Sequence, residues 1–85
     1  MMEPGVYIAN LKMIARPLNK KSRLLDVIVN KERYPITLDS SGNIPEDIKK
    51  MICKNLLGKR SVHYDKYRVR IEYSNAKFST KIYGT

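Results

Sequence analysis

Residues 43–58 read Asn43-Ile44-Pro45-Glu46-Asp47-Ile48-Lys49-Lys50-Met51-Ile52-Cys53-Lys54-Asn55-Leu56-Leu57-Gly58, and this stretch sets the layout of the chain. Pro45 suits a first helical turn, where the missing N–H leaves no intrahelical bond unmade. Glu46 and Asp47 place negative charge at the positive end of the helix dipole, and Lys54 sits near the negative end. Gly58 follows the last apolar pair as a left-handed C-terminal residue should. At helical spacing Ile48, Met51, Ile52, Asn55 and Leu56 share one stripe, with Lys50 and Lys54 opposite. The stretch predicts one amphipathic helix laid over a sheet, with the Cys53 thiol on its flank.

On the N-terminal side the period is two. Tyr7, Ala9, Leu11, Met13 and Ala15 alternate with Ile8, Asn10, Lys12, Ile14 and Arg16, a half-buried strand that Pro17 ends. Residues 16–23 form a basic turn segment carrying Lys20, Lys21 and Arg23. Residues 24–29 read as a second strand, with Leu25, Val27 and Val29 inward. Residues 30–32 read as a hairpin connection and 33–38 as a third strand, which Pro35 places at an edge. Residues 39–43 are a loop by composition.

On the C-terminal side Lys59 and Arg60 are exposed, and 62–64 starts a strand with a turn at 65–66. Tyr67, Val69, Ile71 and Tyr73 then alternate with Arg68, Arg70 and Glu72. A turn over 74–77 returns the chain into a strand carrying Phe78, Thr80 and Ile82. That hairpin would set Tyr73 against Phe78 inside, and outside Arg70 beside Lys81 and Glu72 beside Ser79. The expected fold is α+β: a small twisted antiparallel sheet of five to six strands in β-β-β-α-β-β order, with the helix packed on one face. A half-open barrel plugged by the helix is the alternative.

Eighty-five residues make one domain, with residues 1–5 expected as a loose tail. With 42% apolar and 29% charged residues the chain has the composition of a globular domain. No apolar run suits a membrane span, no leader pattern opens the chain, and a single cysteine fits a reducing compartment, so a cytoplasmic location is expected.

The net charge of +9 is unevenly placed. Residues 1–48 carry seven Lys/Arg against six Asp/Glu; residues 49–85 carry ten against two. Such a surface attracts phosphate or an acidic protein face. One histidine and one cysteine give no catalytic motif and no closed zinc site, and no glycine-rich phosphate loop is present, so neither enzyme activity nor a cofactor is expected. The enzymatic alternative is metal-free RNA cleavage by His63, Tyr64, Arg68, Arg70 and Lys81.

The expectation is a basic, non-enzymatic nucleic-acid-binding or regulatory protein. Its working surface would combine Arg68, Arg70, Lys77, Lys81 and Tyr83 with Lys20, Lys21, Arg23, Lys59 and Arg60. Tyr67, Tyr73 and Phe78 share the apolar face of their strands, which favours backbone contact over base stacking. The alternative is a phage- or virus-type inhibitor that blocks a larger protein through the same surface. A symmetric dimer through strand edges at Pro35 and at Ile82 and Tyr83 accompanies either reading.

Overall fold

A computed structural model describes residues 2–79. Three antiparallel strands lie in the order β2-β1-β3, with β1 at Gly5–Pro17, β2 at Val27–Leu38 and β3 at Tyr67–Phe78. Helix α1, Glu46–Leu57, covers one face, and a 3₁₀ segment, Gly58–Lys66, links it to β3. The first strand takes the centre because it has the most apolar side chains to bury. Tyr7, Ala9, Leu11, Met13 and Ala15 are all buried on the helix side.

The sheet therefore has three strands, and the expected five to six, the β-β-β-α-β-β order and the half-open barrel are corrected. Two of the expected turns are bulges inside continuous strands. Residues 30–32 do not reverse the chain: Leu11 pairs with Lys31 and Ala9 with Tyr34, so Asn10 faces both Glu32 and Arg33. The segment has no Asn-Gly or similar pair to close a hairpin, and Arg33 absorbs the extra residue at φ 52. Residues 74–77 behave the same way, with Asn75 at φ 54 and the register shifting between Ile8 and Asn10.

The pairings of β3 follow from this. Tyr73 faces Leu11, Ile71 faces Met13 and Arg70 faces Ile14, and the Ser79 N–H donates to the Val6 carbonyl at 2.9 Å. The expected contacts of Tyr73 with Phe78 and of Glu72 with Ser79 are replaced. Thr80, Lys81, Ile82 and Tyr83 lie outside the described residues, and with them the rest of the expected last strand.

Both bulges fall at the same level of β1, opposite Ala9 and Asn10, and the core divides into two clusters one step further on, between Leu11 and Met13. Toward the Gly5 end, Tyr7, Leu11, Ile36 and Leu38 pack with Ile52. Toward the Pro17 end, Met13 and Ala15 pack with Cys53, Leu57 and Tyr67. A bulge bends its strand and increases local twist, which lets long strands curve around a single short helix.

The helix starts one residue later than its first proline, with Pro45 as N-cap, and Gly58 caps it at φ 60. Its buried face is Ile52, Cys53 and Leu57. The expected stripe is therefore rotated by about one residue: Met51 is 61% exposed, and the Cys53 thiol is fully buried rather than on the flank. Leu25 is 72% exposed, outside the core it was expected to join. The strand expected at 62–64 is 3₁₀ helix, with Val62 81% exposed and nothing for it to pair with.

Loops are tied down by polar groups of neighbouring residues. The Asp39 carboxylate accepts the N–H groups of Ser41 and Asn43, both at 2.9 Å, which closes the turn before the helix. Of residues 1–5, Met2 donates to the Ser40 carbonyl at 3.0 Å and Gly5 opens β1. Among the described residues no helix is long and apolar enough to cross a membrane.

Candidate nucleic-acid interface

The helix covers one face of the sheet and leaves the other open. On β1 the open face carries Asn10, Lys12 and Arg16, exposed, and Ile14, which is buried among its neighbours. Pairing with β3 sets Arg16 opposite Arg68, Ile14 opposite Arg70 and Lys12 opposite Glu72. Three guanidinium groups thus gather where β1 ends and β3 begins. Two of them have acidic partners: Arg16 reaches Asp26 at 3.8 Å and Arg70 reaches Glu72 at 3.0 Å, both pairs exposed. Arg68 has no ion pair among the described residues.

The basic loop rises from the same end. The Leu18 N–H donates to the Lys66 carbonyl at 2.9 Å, fastening the start of the loop to the end of the 3₁₀ segment. Within it the Asn19 side chain accepts the Lys21 N–H at 2.9 Å, and Ser22 Oγ accepts the Leu24 N–H at 3.1 Å. These local turns leave Lys20, Lys21 and Arg23 exposed in a loop at the Pro17 end of the sheet.

The structure places Arg68 and Arg70 together on the open face and Lys20, Lys21 and Arg23 in the loop at the same end of the sheet, and separates the other expected residues. Lys59 and Arg60 belong to the 3₁₀ segment in the helix layer, across the sheet from Arg68 and Arg70. Lys77 shares the open face but sits opposite Ile8, near the far end of β3. Lys81 and Tyr83 lie outside the described residues. Arg16 and Lys12 join the surface although they were not among the expected residues. Their alternation was legible in β1, but not the identity of the strand beside it.

His63 interrupts the 3₁₀ segment at φ −103 and ψ 16, and that segment packs along the helix. It is therefore in the other layer from Arg68 and Arg70. Tyr64 does not share the cationic face either. It packs against the core cluster around Cys53, beneath the Lys50 and Lys54 ammonium groups at 5.7 and 5.5 Å from its ring centroid. Burial raises the pKa of its hydroxyl, with Cys53, Asp65 and Glu46 adding in the same direction.

The remaining described aromatics are also committed to the helix side or to loops. The hydroxyls of Tyr7, Tyr67 and Tyr73 donate to the carbonyls of Glu3, Leu25 and Gly42 at 2.6, 3.3 and 2.5 Å. The Asn55 amide donates to Tyr34 Oη at 3.4 Å, and Phe78 packs edge-on against Tyr7 at 5.2 Å. The open face therefore presents cations, amides and short aliphatic side chains, without a described ring.

Two further features complete the surface. Val6, Tyr34, Pro35, Ile36, Ile48 and Met51 line an apolar groove between the free edge of β2 and α1. Among the described residues no three of His, Cys, Asp and Glu lie together as metal donors. No protein-family model, curated protein or solved structure matches the chain.

Proposed function

We propose that this protein binds nucleic acid without acting on it chemically, holding the phosphate backbone at the Arg16–Arg68 end of the open face. The observation that supports this is the facing of Arg16 and Arg68 across β1 and β3. Like charges directly opposite on a sheet destabilise it by up to about 1 kcal/mol. Asp26 offsets part of that cost at Arg16, and a phosphate beside Arg68, which has no ion pair among the described residues, offsets the rest and adds charge-assisted hydrogen bonds. Lys20, Lys21, Arg23 and Arg70 extend the contact to neighbouring phosphates.

The test is fluorescence anisotropy with labelled oligonucleotides over a salt series. Neutralising four to six phosphates gives a slope of log K against log salt of about −3 to −5. Arg68→Glu with Lys21→Glu should abolish binding and leave the melting temperature nearly in place, since exposed substitutions shift stability by only about 0.5 kcal/mol. A flat salt response, or undiminished binding by the variant, refutes the proposal.

A second reading, a protein partner, is favoured by the β2–α1 groove. Met51, exposed beside this groove, gives a second copy related by a twofold axis an apolar surface to cover. A pull-down from native lysate with and without nuclease separates the two readings: nucleic acid disappears on digestion, and a protein partner stays at stoichiometric yield.

A further inference from the structure

We infer that the nucleic acid is duplex DNA, and that the open sheet face seats in its major groove and reads base edges through the middle of the sheet. This rests on the nucleic-acid reading above and names the partner's form. The described aromatic side chains are all engaged on the helix side or with loops, so among the described residues the open face has no ring on which an unpaired base could stack. Stacking on aromatic side chains is the main way proteins hold single strands, and the described residues of this face lack the means.

What the face offers between its cationic ends is a polar patch that also holds the Glu72 carboxylate, opposite Lys12 and paired with Arg70. Lys12 on the central strand pairs in register with Asn30 on β2, and Asn10 pairs with Ser74 on β3. All four are exposed. Asn30, Lys12 and Ser74 make no hydrogen bond or ion pair among the described residues, while Asn10 accepts the Arg33 N–H at a long 3.5 Å. Amide and ammonium groups are the side chains that match adenine and guanine edges in the major groove. Arg68 and Arg70 at one end and Lys77 at the other are placed for the flanking phosphates.

The B-form major groove, ~12 Å wide, admits two neighbouring strands about 5 Å apart. The major groove of duplex RNA is too deep and narrow for side chains to read. Sheets that enter DNA grooves are an established mode of recognition.

The experiment is in vitro selection from a random duplex DNA library with the full-length protein, followed by anisotropy on the selected duplex. Single strands of the same sequence and duplex RNA serve as competitors. The expected result is a preferred sequence bound about tenfold or more above the random pool, with neither competitor displacing it at equal concentration. Asn30→Ala with Ser74→Ala should bring the selected duplex down to the affinity of the pool. Both replaced groups are neutral, so pool affinity, salt slope and melting temperature should stay as in the parent. Selection that returns no preferred sequence, or competition by single strands or duplex RNA as strong as by duplex DNA, overturns the inference and leaves backbone binding standing. Retention of no polynucleotide even at low salt overturns both.

Discussion

Arg33 sits at φ 52 in the middle of β2, a left-handed conformation that a side chain with a Cβ adopts at a cost of about 1–2 kcal/mol. Asn75 takes the same conformation on the other edge strand, but asparagine tolerates it better. Arg33→Gly should therefore raise the melting temperature by a few degrees, despite the added freedom of glycine in the unfolded chain. A thermal melt checks this, and a lower midpoint would show that the arginine side chain itself supports the bulge. Cys53 is the other residue whose setting dictates its behaviour. Fully enclosed beneath the helix, its thiol has its pKa raised above the ordinary 9.0, chiefly by burial, with the nearby Lys49 ammonium opposing. The unfolded chain then loses this proton first, so the thiol does not disturb stability below pH 9.0 and weakens it as the pH climbs from there toward the folded-state value. Chemical denaturation at a series of alkaline pH values, compared with Cys53→Ala, should show the parent losing stability faster. A thiol reagent at neutral pH should label the unfolded chain readily and the folded chain only through opening.

At the scale of the element, the helix is the clearest case. Its existence, its acidic start and its glycine stop follow from local chemistry, and it forms over Glu46–Leu57 as those signals require. Its rotation does not follow from them. Ile48, Met51, Ile52 and Leu56 make one plausible apolar stripe, and Ile52, Cys53, Leu56 and Leu57 make another turned by about one residue. The sheet below selects the second, because Met13, Ala15 and Tyr67 leave space that Cys53 and Leu57 fill. Leu57→Ala should cost about 2–5 kcal/mol, as for other enclosed leucines. Met51→Ala, at an exposed position, should stay within about 0.5 kcal/mol. Urea unfolding of the two variants checks the phase; the reverse order of losses would restore the first stripe.

At the scale of the molecule, one helix and three long strands make a thin two-layer body, 46 × 26 × 20 Å in extent. Among the described residues, such a body has one covered sheet face, one open face and two free strand edges. Lys31, Arg33 and Pro35 on β2, and Lys77 on β3, place charge and a missing donor along those edges, the usual defence against uncontrolled strand pairing. On the second reading proposed above, a second copy would cover the apolar groove between β2 and α1. Light scattering at micromolar concentration should give twice the 9.9 kDa monomer mass, and Met51→Lys should return the monomer while retaining binding to nucleic acid. A monomer at every concentration would remove the second-copy reading and leave the open face unaffected.

Local chemistry was enough to identify β1 and its buried face, the loop closed by Asp39, the helix with both ends, and the alternation of residues 67–73. Each of these depends on the spacing of neighbouring residues along the chain, which is written directly in it. The strand count depended on something else. Residues 30–32 and 74–77 have compositions compatible with a turn or with a bulge, and the difference lies in whether a partner strand continues alongside. Here β1 continues past both, so Arg33 and Asn75 take up the extra residues and the chain does not reverse. The cationic surface divides along the same line. Which face of β3 carried Arg68 and Arg70 was legible from alternation alone. Their placement beside Arg16 was not, because strand pairing joins residues more than fifty positions apart through burial of apolar side chains that no local pattern specifies.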